Sequence, residues 1–349
     1  MDISIVIPTY NRLSSLKRVL AGVEHQMVPL ASFEVVVVSD GATDGTDQFL
    51  TEYEGPLNLR PVLQVNAGAA AARNAGIQTA VGDLIVFLDD DVVPAPQLLN
   101  EHLRVHADQG ENVVVLGPMI TPDDFDMAPW VQWEQAMLVK QYTAMADGKW
   151  DPSPRQFYTG NTSLRRSHLL SSGGFDTQFK RAEDVELAYR LADQGLRFLF
   201  NPQAVGYHYA QRSFASWLDI PYAYGRNDVI FASDKGQSWL LGAVWREYWA
   251  RNVLVRTLTR LCLDRPILSR PILKLLEAIA SVSYKQNLKS LAAQAYSGIF
   301  NMRYYQGVAD QLGGRKVLFA GVALMRVLKL NPLANDTKPV PSPASALER

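Results

Sequence analysis

The sequence predicts an α/β fold, a mostly parallel sheet flanked by helices, followed by a helical extension. Three observations predict it. Short β-branched runs alternate with helical patterns through the first part of the chain, the rhythm of parallel strands joined by crossover helices. The strand runs are apolar almost without interruption, which suits strands covered on both faces. From about Ser213 onward the pattern is helical.

Strands are expected at residues 3–7, 33–38, 60–65, 84–88 and 113–116, with helices at 14–26, 46–53, 69–79 and 96–109 between them. The helix at 96–109 follows Asp91 and is opened by prolines, whose missing N–H has no partner in a first helical turn anyway. After the fifth strand Trp130, Trp133, Tyr142, Trp150 and Tyr158 are scattered through a segment with little regular repeat, which is expected to shape a substrate pocket. A second α/β portion has strands at 161–165 and 196–200 and a helix at 182–194 ended by Gly195. Helices are then expected at 240–262 and 273–296, with breaks near Pro266 and Pro271, and no internal repeat is evident. Residues 331–349 carry four prolines among small polar residues and read as a flexible tail.

With 349 residues, 48% hydrophobic and 20% charged, the chain can bury a substantial core. Its net charge of -1 hides an asymmetry: residues 240–329 hold fourteen basic residues against four acidic, leaving an excess of eleven negative charges elsewhere. An acidic front half does not grip nucleic acid, whereas the basic helices are compatible with peripheral contact at an anionic inner membrane face. Arg246, Arg251, Arg256 and Arg260 do not share one face of a continuous helix, so a packing subdomain or a homodimer interface is the slightly favoured alternative. The single Cys262 excludes an intrachain disulfide framework, no basic-then-apolar leader is visible at Met1-Asp2-Ile3-Ser4, and the longest apolar stretch, 317–325, is too short to span a bilayer. The expected location is cytoplasmic, with peripheral membrane contact as the variant of it.

Asp89-Asp90-Asp91 follow directly on the strand at 84–88, at the carboxyl edge where open parallel sheets bind ligands. Alternation along an extended backbone would point Asp89 and Asp91 to one side and Asp90 to the other. Three adjacent negative charges invite a hard cation, Mn2+ or Mg2+, which binds through one or two carboxylates and substrate phosphates. A helix-capping turn of solvated acids is the plain alternative. His102 and His106 stand four apart, a spacing that could hold zinc, but no third ligand accompanies them and a solvated helix face is expected.

Ile5-Val6-Ile7-Pro8-Thr9-Tyr10-Asn11-Arg12, the segment from Val37 to Thr46, the segment from Asn66 to Gly76 and Asp89-Asp90-Asp91 form an ordered set. Gly160-Asn161-Thr162-Ser163-Leu164-Arg165-Arg166, Gly174-Phe175-Asp176, Glu183-Asp184 and the chain to about His208 extend it. This set resembles the family 2 inverting glycosyltransferases of the GT-A fold, over well over half of the chain. The resemblance implies a Rossmann-like catalytic domain at 1–235, with a nucleotide-binding half at 1–117 and an acceptor half at 118–235, then a basic helical extension at 236–330.

By resemblance, Pro8, Thr9, Tyr10 and Arg12 contact the base and ribose of a nucleoside-diphosphate sugar, UDP-sugar favoured. Asp40 would accept hydrogen bonds from the base. Ser39 stands where the family has a further acid, leaving Asp40 as the only carboxylate expected there. Arg73 is implied to face the donor, binding phosphate oxygens or a carboxylate such as Asp89, with a surface arginine as the bland alternative. Asp91 and Asp89 are the implied metal ligands, with His208 as a further metal or diphosphate contact or else a core histidine. Asp90 is grouped with the donor site, though the most structural of the three. Asp184, with Glu183 beside it, is the implied general base, although a helix N-terminus would favour its ionised form and weaken it. Gly160 and Asn161 are implied on the acceptor side, the acceptor being a glycan, a lipid-linked carrier or a small molecule. A sugar-1-phosphate nucleotidyltransferase and a sugar-nucleotide-binding scaffold are the alternatives.

Overall fold

The computed structural model describes residues 2–327; the tail expected at 331–349 lies outside the described residues. Contacts divide the chain into two compact units, Met1–Asp126 with Gln141–Ala210, and Met127–Lys140 with the chain from Gln211 onward.

The first unit runs β1 (Ile3–Thr9), α1 (Leu13–Glu24), β2 (Phe33–Asp40), α2 (Thr46–Thr51), β3 (Leu59–Gln64), α3 (Ala69–Thr79), β4 (Leu84–Leu88), β5 (Val92–Pro94), α4 (Leu98–Gln109), β6 (Val113–Leu116) and β7 (Met119–Ile120). It continues through the end of α5 (Pro129–Ala146), β8 (Asn161–Arg165), α6 (Arg166–Ser171), α7 (Glu183–Asp193), β9 (Arg197–Phe200) and β10 (Gly206–His208). Seven strands form one sheet in the order β3-β2-β1-β4-β8-β6-β9. All neighbours are parallel except β8, which runs antiparallel to β4 and β6. The apolar runs cover both faces because side chains alternate: Ile3, Ile5, Ile7, Val86 and Leu88 pack with Leu16, Val19 and Leu98, while Val6, Val36, Ile85 and Phe87 pack with Ala72, Ile77 and Leu187. Each such side chain contributes about 1.5–3 kcal/mol on burial. The small side chains of α3 let it lie close to the sheet; a Cβ on Gly76 would come within 2.4 Å of Val6 Cγ1.

A second sheet, β5-β10-β7, is absent from the sequence expectation. Its strands have two or three residues, too few to show a period. It matters because the antiparallel register Val92↔His208 brings the end of the unit back to the turn that carries Asp91. The segment expected to lack regular structure instead holds α5, eighteen residues long; its aromatic and apolar residues lie all round and mask the helical period.

The second unit contains the start of α5 and then α8 (Phe214–Asp234), α9 (Trp239–Ala250), α10 (Val253–Cys262), α11 (Pro266–Lys285), α12 (Lys289–Leu312) and α13 (Arg315–Val327). The single helix expected at 240–262 is two, because Asn252 leaves the helix and caps α10, its Oδ1 accepting from Val255 N at 2.8 Å. The helix expected at 273–296 is also two, parted at Asn287, whose φ is +58°. Pro266 opens α11 and Pro271 lies inside it. α8 and α12 meet backbone to backbone at Gly225 and Gly307, where a Cβ would lie 2.0 Å from a carbonyl oxygen of the other helix. Among the described residues no helix is long and apolar enough to cross a membrane.

Candidate active site

The strand β4 ends at Leu88, and Asp89-Asp90-Asp91 lie on a tight turn closed by a hydrogen bond from Val92 N to Asp89 O at 3.0 Å. The two-residue alternation expected for the acids therefore does not apply, since it needs extended backbone. Asp90 and Asp91 share one partner instead. Arg12, beyond the end of β1, donates through Nη1 to Asp90 Oδ1 at 3.0 Å and Asp91 Oδ2 at 2.8 Å. Thr9 Oγ1 donates to Asp90 Oδ2 at 2.8 Å. Burial pushes Asp90 up to about 6, opposed by Arg12 and reinforced by Asp91. For Asp91 burial works the same way, but hydrogen bonding and charge from His208, with Arg12, outweigh it and hold the carboxyl at about 2. Asp91 stays ionised across the physiological range.

Asp89 turns elsewhere. Arg73, buried on α3, spreads its fork between two acids: Nη2 donates to Asp89 Oδ1 and Nη1 to Glu183 Oε1, both at 2.8 Å. Its ring-like plane lies over Phe175, 5.7 Å from the centroid. Both terminal nitrogens are thus engaged with carboxylates, and Arg73 ties the acid turn to the start of α7. The bland alternative, a surface arginine, is overturned by its burial. Gly160 backs Asp89 on the other side: a Cβ there would stand 3.0 Å from Asp89 Oδ2 and 2.5 Å from Met119 Sδ.

Asp184 follows Glu183 in the first turn of α7, and its Oδ1 accepts from Val185 N at 2.8 Å. Its carboxylate lies deep among protein atoms although part of the residue still meets solvent. Burial, then the negative charge of Glu183, pushes it up to about 7 against the pull of Arg73. The helix N-terminus was expected to favour the ionised form of Asp184; burial outweighs it, because desolvation disfavours the charged form more than the helix end favours it. The loop before α7 is clamped by Asn74, one position beyond Arg73, whose side chain donates to Phe175 O and accepts from Phe175 N, each at 2.8 Å.

His208 comes to Asp91 through β10, with Nε2 3.5 Å from Asp91 Oδ1 and Nδ1 buried without a hydrogen-bond partner. Asp91, Asp89 and His208 were expected together as metal ligands, and only Asp91 and His208 meet; Asp89 is drawn to Arg73. Among the described residues no three metal-ligating side chains form a cluster. The residues present fit a hard cation only in part: Asp91 offers oxygen, His208 faces it through Nε2 and would ligate only as the neutral ring, and the remaining ligands have to come from a bound phosphate and water.

Two expected residues serve the scaffold. Asp40 is buried, Oδ1 accepting from Gln64 Nε2 at 2.7 Å and Ala67 N at 2.8 Å and Oδ2 from Gly68 N at 2.8 Å. The carboxylate expected to read a base organises the loop before α3. Asn161 is 1% exposed, its amide donating to Pro118 O at 3.0 Å and Ala204 O at 2.7 Å, so this side chain does not reach an acceptor. Its Oδ1 pairs with His102 Nε2 at 3.0 Å, and Ser163 Oγ lies 2.8 Å from His102 Nδ1 and 2.9 Å from His106 Nε2. The two histidines, expected on a solvated face, are buried, and burial pushes each down to about 4. They hold α4 to β8 as neutral rings.

Of the remaining expected residues, Pro8 is half-buried on β1 and Tyr10 is exposed beyond it. Three residues of this edge escaped sequence reasoning. Asn11, at φ +53°, accepts from Thr43 N at 2.7 Å, and Asp44 accepts from Leu13 N at 2.8 Å, so the loops after β1 and β2 lock together. Asp47 on α2 accepts from Ser39 Oγ at 2.5 Å, returning a carboxylate to the place where Ser39 replaces an acid. The spacing of eight between Ser39 and Asp47 across a loop gives no periodic signal.

The model of the glycosyl transferase family 2 matches residues 4–172. Validoxylamine A glucosyltransferase of Streptomyces hygroscopicus subsp. jinggangensis is 33% identical over 232 residues, 58% of this chain and 54% of that one. Hyaluronan synthase of Pasteurella multocida is 29% identical over 239 residues, 60% of this chain and 24% of that one. The chain spans about half the length of the two validoxylamine relatives it matches. Among solved structures, the mannosyltransferase PcManGT from Pyrobaculum calidifontis, in complex with GDP-Man and Mn2+, has a TM-score of 0.57 at 20% identity, covering 94% of this chain and 88% of that one. S. aureus TarS 1-349 in complex with UDP has a TM-score of 0.54 at 19% identity, covering 90% and 92%. These likenesses establish the GT-A fold.

Proposed function

From the premise that residues 4–172 are a glycosyl transferase family 2 domain on a GT-A fold, we propose that the protein transfers a sugar from a nucleoside-diphosphate donor to an acceptor hydroxyl with inversion. The observation that carries this reading is the chain Asp89–Arg73–Glu183 beside Asp184, which couples the acid turn to a carboxylate poised near neutrality.

The acceptor oxygen attacks the anomeric carbon, the bond from that carbon to the donor phosphate breaks, and its electron pair leaves with the diphosphate. Asp184 takes the acceptor proton. With its carboxyl at about 7, it is partly ionised at neutral pH and a stronger base than an exposed aspartate. Arg73 places one positive charge between Asp89 and Glu183, easing the repulsion among the three carboxylates of this edge. Asp91 and His208 would hold Mn2+ or Mg2+ together with the donor's phosphates; the ion supplies charge compensation to the leaving diphosphate. Arg12 keeps Asp91 in place from the side of the nucleotide loop, and the exposed Tyr10 is available to a base or ribose. A UDP-sugar is the favoured donor, with the UDP complex of TarS as support, while the GDP-Man and Mn2+ complex of PcManGT keeps GDP in the comparison.

The test is Asp184→Asn. Turnover is expected to fall by on the order of 10²–10⁴ with donor binding retained. Near-normal transfer would move the base elsewhere, Glu183 being the next carboxylate in reach.

A further inference from the structure

Residues 253–261 on α10 and 267–275 on α11 repeat one pattern at a spacing of fourteen. The first, second and ninth positions are aliphatic: Val253, Leu254 and Leu261 in one copy, Ile267, Leu268 and Leu275 in the other. The fourth and eighth are basic: Arg256 and Arg260, then Arg270 and Lys274. At about 100° per residue the three aliphatic positions fall within one arc of about 100°, and both basic positions border the same side of it. Arg256 and Arg260, four apart, share a face of α10, and the break at Arg251-Asn252 separates them from Arg246 and Arg251.

Both helices pack on α12 through their other faces, and the six aliphatic side chains are left between 41% and 88% exposed. Val282, two turns beyond Leu275 on the same arc of α11, is exposed as well. A soluble domain gains nothing by presenting such a row to water. We propose that this face of α10 and α11 docks on an anionic lipid surface, the aliphatic rows entering the acyl boundary and the basic rims meeting the headgroups.

Charge complementarity selects this occupant. Neither nine-residue copy contains an acid, and Asp264 between them is held by Gln306 Nε2 at 2.8 Å and Arg315 N at 2.6 Å. Among the described residues none of the four basic side chains forms an ion pair with a carboxylate; Arg256 lies over Trp249 and Arg260 over Phe319. The exposed row has no aromatic anchor, the residue type that dominates protein interfaces, whereas aliphatic rows rimmed by Lys and Arg suit an interfacial helix. α11, with 20 residues, is about 30 Å long and can lie along a bilayer plane. The surface is independent of the transfer chemistry, so either reading can fail alone.

The experiment is flotation of the full chain with vesicles of phosphatidylcholine alone or mixed with phosphatidylglycerol. Binding is expected to the mixed vesicles only, and to fall in high salt. Arg270→Ala with Lys274→Ala is expected to weaken it about twenty-fivefold, about fivefold per charge removed. Leu275→Asp, at an exposed position, should abolish binding while thermal unfolding and transfer to a soluble acceptor stay unchanged. Equal binding to both vesicle types overturns the proposal, as does absence of binding by folded protein. Self-association that Leu275→Asp disperses, with vesicles ignored, overturns it and assigns the face to a second copy.

Discussion

Asp184→Asn is expected to separate stability from activity in a pH-dependent way. In the folded protein Asp184 is raised from 3.8 to about 7, so the folded state holds a proton that the unfolded chain releases. The sign follows: this group's contribution to stability is fully present below the unfolded value and is lost as pH rises through the folded one. That difference corresponds to a ceiling of about 4 kcal/mol. Partial contact with solvent brings the expected loss to about 2–3 kcal/mol. Asparagine keeps the oxygen that accepts from Val185 N but carries no charge at any pH. The variant should therefore gain on wild type as pH rises from the unfolded to the folded value, by about 4–12 °C in the melting temperature of the first unit. Differential scanning calorimetry of both proteins on either side of that window reads it directly. A melting difference that stays constant with pH, or one that reverses, refutes the claim that burial rather than the helix end sets the state of Asp184.

Arg73→Met leaves Glu183 buried and Asp89 half-exposed without their shared cation, and is expected to cost about 3–5 kcal/mol in urea unfolding. Arg73→Lys should recover part of that stability but little turnover, since a single ammonium cannot bridge both acids as the fork does. Gly160→Ala pushes a methyl toward Asp89 Oδ2 and Met119 Sδ, and is expected to cost about 1–3 kcal/mol and to lower kcat/KM for the donor; unchanged steady-state kinetics would contradict the closeness of that contact.

The parts of the fold legible in the sequence are those where burial imposes a pattern. β4, β6 and α3 occupy the residues expected of them, because strands covered on both faces are apolar throughout and α3 has to be small-sided beneath the sheet; β8 does so too, although its sequence is mostly polar. The three-stranded sheet was not legible, as pairs of two or three residues carry no period. α5 was hidden by apolar residues on all its sides, and the repeat on α10 and α11 by Pro266 and Pro271, which read as breaks although the first opens α11 and the second lies within it. At the site, the residue types were legible and their pairings were not. Composition marked Arg73 as a lone cation among alanines, but only the fold shows that it joins Asp89 to Glu183. Asp40 and Asn161 look like ligand-facing groups in sequence, yet Asp40 accepts from Gln64, Ala67 and Gly68, and Asn161 binds Pro118, Ala204 and His102, partners that the chain brings in from elsewhere.

The central claim, that the acid turn receives a nucleoside diphosphate through a divalent cation, is tested most directly by calorimetric titration of the full chain with UDP, GDP and dTDP, each with and without Mn2+. UDP is expected to bind most tightly and in a Mn2+-dependent manner, with Asp91→Asn weakening it on the order of tenfold or more. Absence of binding by all three diphosphates, or UDP binding indifferent both to Mn2+ and to Asp91→Asn, would contradict the account.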